Sequence, residues 1–138
     1  MPTLLIIDDN ESVRESLKHV FMRRGYAVVV ADGGTAGLAL HAKGGVDAAL
    51  VDINMPGLNG IEVCALLHRQ MAVRGQKIPV WLMTGAIGSN AEDRGIAAGA
   101  LAVWHKPFDI SAFTRELDLH WGASQTSESS GDAGVKPE

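Results

Sequence analysis

Asp8 and Asp9 stand side by side at the end of one short apolar run, and Asp52 stands at the end of another, Ala48-Ala49-Leu50-Val51. Two further runs end in different chemistry: Thr84, which Gly85 follows and leaves accessible, and Lys106, which Pro107 follows. Carboxylates held close together repel and raise one another's pKa. A hard divalent cation relieves that repulsion, and an oxygen site with few protein carboxylates suits Mg²⁺. A hydroxyl and an ammonium facing such a site can hold the oxygens of a phosphoryl group. An aspartate in that setting can act as a nucleophile and carry the phosphoryl group as an acyl phosphate.

The elements that must position these side chains follow from the patterning. Thr3–Asp8, Ala27–Ala31, Ala48–Asp52, Val80–Thr84 and Ala102–His105 are short and apolar on both sides. Such runs are expected of parallel strands covered by helices on both faces. Between them lie amphipathic segments. Val13, Leu17, Val20 and Phe21 form a helical stripe, with Ser12 and Glu15 as a capping box at its start and Gly25 at its end. Leu38 and Leu40 mark a second helix, diluted by Gly33, Gly34 and Gly37, and Ile61, Ala65, Leu66 and Leu67 mark a third. Ser89 and Glu92 read as a capping box before a short fourth helix. Asp109 caps a fifth that carries Ile110, Phe113 and Leu117 on one face. Five β-α alternations imply a doubly wound α/β fold with right-handed crossovers. In such sheets ligands bind beyond the carboxyl ends of the strands, where all five candidate side chains stand.

The bulk numbers bound the rest. A chain of 138 residues, 46% hydrophobic, suits one domain with a real core. A net charge of −4 gives no nucleic-acid footprint. Cys64 is the single cysteine, which excludes an internal disulfide and a cysteine-based zinc cluster. The N-terminus lacks a basic signal-peptide region, and no apolar stretch approaches the roughly 18–20 residues of a membrane span. A soluble, cytoplasmic protein is expected. Residues 1–121 are expected to form the domain. Residues 122–138, polar except for Val135, are expected to form a disordered tail.

Four stretches, "IIDDN" (Ile6–Asn10), "LVDINMPGLNG" (Leu50–Gly60), "LMTGA" (Leu82–Ala86) and "HKPF" (His105–Phe108), resemble the four signatures of a response-regulator receiver domain. The resemblance spans roughly residues 3 to 121. It implies a flavodoxin-like sheet of order 2-1-3-4-5, which sets the first and third strands side by side and converges the three acids. It implies that Asp52 is the phosphoacceptor. Asp8, Asp9, Asp52 and the backbone carbonyl of Asn54 would hold Mg²⁺, Thr84 would be the switch hydroxyl, and Lys106 would pair with the phosphate. The donor would be a phosphohistidine on a sensor histidine kinase or phosphotransfer protein. The output would be changed binding of a protein target at the face of the fourth helix, fifth strand and fifth helix, with no direct contact to nucleic acid or membrane. Such a domain is a switch rather than an enzyme, apart from its own phosphoryl transfer and autodephosphorylation.

This chain departs from the family at Val103, three residues before Lys106, where the family carries Tyr or Phe; the aromatic here is its neighbour Trp104. Signalling is therefore expected to rely on Thr84 and on movement of the glycine-bearing loop before a small fourth helix. An adaptor that works without phosphorylation is an alternative left open by Val103. A haloacid-dehalogenase-type phosphatase would need a D-x-D pair after the first strand, and here the acids are adjacent. A flavin carrier would need a Ser/Thr-rich phosphate loop where this chain has the acidic "DDNES". Cys64, Trp81 and Trp104 are expected to be core residues, and the five histidines structural or exposed.

Overall fold

The computed structural model describes residues 2–85 and 90–129, with side chains as far as residue 120. The elements alternate as β1 (Thr3–Ile7), α1 (Glu11–Arg23), β2 (Ala27–Ala31), α2 (Gly34–Ala42), β3 (Ala48–Asp52), α3 (Gly60–Arg74), β4 (Val80–Thr84), α4 (Ala91–Ala97), β5 (Ala102–His105) and α5 (Ile110–Ser129). All strand pairings are parallel, in the order β2-β1-β3-β4-β5. The doubly wound, flavodoxin-like sheet is thus the observed fold. β2 to β5 occupy the apolar runs seen in the sequence, while β1 stops at Ile7, so Asp8 is already in the loop.

Burial explains why these runs lack alternation. β3 and β4 are buried along their whole length. Leu5, Ile7, Ala49, Val51, Val80 and Leu82 form one core cluster with Val63, Cys64, Leu67 and Met71 of α3. Their strand neighbours Leu4, Ile6, Leu50, Trp81 and Met83, also buried, point to the opposite face because strand side chains alternate. α1, with Leu17 and Phe21 buried, packs against β1 and β2. Cys64 and Trp81 are core residues, as expected; Trp104 is only half-buried.

The helix ends differ from the expectation in instructive ways. α1 begins at Glu11 with Asn10 as its cap, whose side chain accepts the Val13 N–H at 3.0 Å. Ser12, expected to be the cap, falls inside the first turn. Asp8 decides this, because its Oδ1 accepts the Asn10 N–H at 2.9 Å and turns the chain into the helix two residues early. α3 carries a full capping box between Asn59 and Glu62, which the sequence reading did not register. α4 starts after Asn90, which makes no side-chain cap bond; Ser89 lies outside the described residues.

Residues 1–106 make one compact unit, and the segment from Pro107 onward makes a second. Within the second, Asp109 caps α5 as expected, accepting the Ser111 and Ala112 N–H groups, and Phe108 meets Phe113 edge-on. α5 runs to Ser129, past the expected domain end at residue 121. Extending a formed helix costs far less than nucleating one, so polar residues can prolong it. Residues 130–138 lie outside the described residues.

Candidate functional site

The strand register brings the candidate residues to one rim. Ile7 lies beside both Ala31 and Val51, Val51 beside Leu82, and Thr84 beside His105. Asp8, Asp52, Thr84 and Lys106 therefore leave adjacent strands at the same edge. The loop after β3 is pinned there by backbone hydrogen bonds. Ile53 N–H donates to the Met83 carbonyl at 2.8 Å, and Gly60 N–H donates to the Ile53 carbonyl at 2.9 Å. That last approach requires glycine. A Cβ on Gly60 would strike the Asp52 carbonyl and come within 2.6 Å of the Ile53 Cα. "GLNG" thus both caps α3 and lets its first turn abut the residue that carries the chemistry.

Oxygen atoms of Asp8, Asp9 and Asp52 all lie within 4.8 Å of one another. Asp8 and Asp52 are buried, and Asp9 is exposed at the rim. Lys106 Nζ sits 3.0 Å from Asp8 Oδ2 and 3.3 Å from Asp52 Oδ1. Arg14 reaches the cluster only through the backbone, donating to the Asp8 carbonyl at 2.9 Å. Burial pushes the Asp52 carboxyl above the ordinary carboxylate range, and the charge of Asp8 pushes it the same way. The pull of Lys106 in the opposite direction does not compensate. For Lys106, burial works against the charged form, but its hydrogen bond to Asp8 and the charges of Asp52 and Asp8 outweigh it and raise its pKa.

Three carboxylates against one ammonium leave a surplus of negative charge in a partly buried pocket. The donors are all hard oxygens, two of them buried and one open to solvent. That set fits a divalent cation of the Mg²⁺ type, which keeps several waters and takes only a few carboxylates. Asn54 is also at the rim. Its N–H points to Asp52 Oδ1 at 3.4 Å, and its side-chain Oδ1 accepts the Thr84 hydroxyl at 2.8 Å.

All six residues singled out in the sequence thus meet at one rim, Asp8, Asp9, Asp52, Asn54, Thr84 and Lys106. One expectation about them changes: Thr84 is fully buried, and its hydroxyl is engaged by Asn54 rather than accessible through Gly85. A buried hydroxyl takes an acceptor when one is in reach. The family resemblance makes Asn54 one of two variable pocket positions that tune how long the phosphoryl group lasts, but its bond to Thr84 was not foreseen. Asn10 and Arg14, which fix Asp8 from the first turn of α1, were missed as well. The N–H bond of Asn10 is a local Asx turn that an Asp two residues before an Asn could have signalled. Ala86, the second of those pocket positions, lies outside the described residues.

Residues 4–118 match the family model described as the response regulator receiver domain. The chain is 36% identical over 107 residues to the response regulator MprA of Mycobacterium sp. (strain KMS), covering 78% of this chain and 45% of that protein. The chain therefore spans less than half the length of the curated relatives it matches. Among solved structures it resembles the chemotaxis protein CheY4 of Vibrio cholerae, with 28% identity, a TM-score of 0.78, and 86% and 98% of the two chains covered. It also resembles the response regulator TrrA of Thermotoga maritima, solved in complex with Mg²⁺-BeF, with 25% identity, a TM-score of 0.75, and again 86% and 98% covered.

Proposed function

The chain belongs to the response regulator receiver family of two-component signalling, and on that premise we propose that Asp52 accepts a phosphoryl group and thereby switches partner binding. The observation that carries this reading is the shared rim: a buried nucleophile, two further acids and a lysine within hydrogen-bonding reach. The donor is a phosphohistidine of a sensor kinase or phosphotransfer protein. An Asp52 oxygen forms the new P–O bond as the donor's P–N bond breaks, and the histidine, which carries a proton on its other ring nitrogen, leaves as neutral imidazole. Lys106, already lying across Asp8 and Asp52, pairs with the phosphoryl oxygens once they arrive. The Thr84 hydroxyl donates to another of them.

Asp8, Asp9, Asp52 and the Asn54 carbonyl would hold Mg²⁺. Bound there, the ion would supply positive charge against the charge that develops on the transferring group. Its use here is also suggested by the TrrA structure, a complex with Mg²⁺-BeF. The output surface includes α4 and β5, where Ile96 of α4 and Leu101 of the turn just before β5 leave about half their surface in solvent (46% and 49%). The partner is a protein, and the place of action is the cytoplasm. Among the described residues no helix is long and apolar enough to cross a membrane.

Incubation with ³²P-labelled acetyl phosphate separates this reading from an aspartyl-phosphate phosphatase. A switch keeps a Mg²⁺-dependent label that Asp52→Asn abolishes, and it does not turn over phosphomonoesters. Multiple turnover of a phosphomonoester would overturn the reading.

A further inference from the structure

α3 carries two stripes. Val63, Cys64, Leu67 and Met71 face the core. Leu66, Arg69, Gln70 and Val73, spaced i, i+3, i+4 and i+7, form a second stripe on another side of the helix. Together with Leu38 of α2 they line an open groove of about 510 Å³. Leu38 and Leu66 are half-buried there, while Val73 is 88% exposed. Gln70 adds little polarity to the floor, because its Oε1 is turned to His41 Nδ1 at 2.7 Å. An aliphatic floor ending in an open valine contributes little to this chain's own core.

The charge of the groove runs against that of the molecule. Both charged residues that line it, Arg69 and Arg74, are cationic, in a chain of net charge −4. At about 100° per residue, Val73, Leu66 and Gln70 lie between Arg69 on one side of the stripe and Arg74 on the other. Arg74 is fixed toward α2, donating from Nη1 to the His41 carbonyl at 2.6 Å. A guanidinium carries five N–H donors, so that bond holds the side chain without exhausting it.

We propose that the α2–α3 groove docks a helix of a partner protein whose apolar stripe is flanked by carboxylates. An apolar floor is what the buried face of a docked amphipathic helix requires. Guanidiniums on both flanks select carboxylates beside that face. A second copy of the chain in a two-fold contact would set the same patch against itself, arginine facing arginine. Nucleic acid would use the two cations but leave the aliphatic floor unmatched. The groove occupies the half of α3 away from Gly60, the end that abuts Asp52, so this surface is separate from the acidic rim. The inference does not rest on the reading of Asp52.

Three designed helical peptides test it. They share leucines at i, i+3, i+4 and i+7 and carry Glu, Gln or Lys on both flanks. In titrations followed by amide resonances, the Glu peptide is expected to bind roughly tenfold more tightly than the Gln peptide, from two exposed ion pairs at about threefold each. The Lys peptide should bind most weakly, and the shifts should gather at residues 38–42 and 66–74. Val73→Glu, at an exposed position, should remove binding and leave labelling by acetyl phosphate unchanged. Arg69→Glu alone should narrow the preference for Glu, and Arg69→Glu with Arg74→Glu should reverse it in favour of Lys. Equal affinity for the three peptides, no shift with the Glu peptide, or shifts centred elsewhere would overturn the proposal. So would a dimer that Val73→Glu dissolves, which would make the occupant a second copy. Binding to phosphatidylglycerol vesicles but not to the Glu peptide would make it a membrane and overturn the proposal equally. None of these results bears on Asp52, which its own labelling tests.

Discussion

Asp52 carries a conflict in its environment. Burial and the charge of Asp8 raise its pKa, so the unloaded protein is held at a disadvantage whenever this carboxylate is ionised. A raised folded-state pKa contributes stability below the unfolded value of 3.8, and that contribution is lost as pH rises through the folded value. Asp52→Asn removes the penalty. In EDTA the variant is expected to melt above wild type by a few degrees near neutral pH, on the order of 1 kcal/mol. The gap should shrink as pH falls and close below 3.8, where the carboxyl is protonated in both states. Scanning calorimetry across that range checks it, and a variant that melts below wild type at pH 7 contradicts it. Cys64 gives the opposite kind of prediction. Burial pushes its thiol up to about 12, and its Sγ donates to the Ala98 carbonyl at 3.6 Å. It should therefore resist a thiol reagent in the native protein and react at once in denaturant. The residue types and positions at the rim were legible because a polar residue ending an apolar run is conspicuous. The bond between Asn54 and Thr84 was not, since nothing in the spacing of residues 54 and 84 tells which side chain turns toward which.

The elements were readable where periodicity and burial agree, and less so at their ends. The runs of β2 through β5 match the structure because a strand buried on both faces is apolar throughout. The starts of α1 and α3 were misread or overlooked because a cap depends on the loop before it. Asp8 orients Asn10, and the Ile53 carbonyl receives Gly60. Two substitutions test these joints. Asn59→Ala removes half of the α3 capping box and should cost about 1 kcal/mol in urea unfolding. Gly60→Ala should cost more, about 2 to 3 kcal/mol. Its Cβ would meet rigid backbone at Asp52 and Ile53, and it should also weaken Mg²⁺ binding by displacing the Asp52 loop. A neutral Gly60→Ala would show that α3 need not approach β3 so closely. At α4 the pattern reverses. A Cβ on Gly95 would come within 2.8 Å of both Leu82 and Val103. Those contacts end in side chains, which yield more easily than backbone. Val103 is buried in the core cluster, so the position where the family carries an aromatic is here a small packed residue. Thr84, at the end of β4, is joined to the end of β5 through its carbonyl, which accepts the Lys106 N–H at 2.8 Å.

For the whole molecule, alternation of strand and helix gave the class of fold, but it does not say which strands are neighbours. Apolar runs of similar composition can be ordered in several ways, and the order 2-1-3-4-5 came only from the family motifs. Yet that order is what brings Asp8 and Asp52 together, since β1 and β3 pair directly. The charge imbalance at that junction predicts that a bound cation stabilises the protein. Mg²⁺ at a hundredfold excess over its dissociation constant should stabilise wild type by about 2.7 kcal/mol. Asp9→Asn should lose most of that gain, with little change in the EDTA baseline because Asp9 is exposed. Thermal melts with and without the ion check this. The most direct measurement is chemical. The chain is loaded with acetyl phosphate in Mg²⁺, treated with borohydride to convert any acyl phosphate to homoserine, and mapped by peptide mass spectrometry. Conversion at residue 52 alone is predicted, and it should vanish in EDTA. Conversion at residue 8 or 9, or none in a folded chain that binds Mg²⁺, would contradict the assignment of Asp52 as the residue that carries the phosphoryl group.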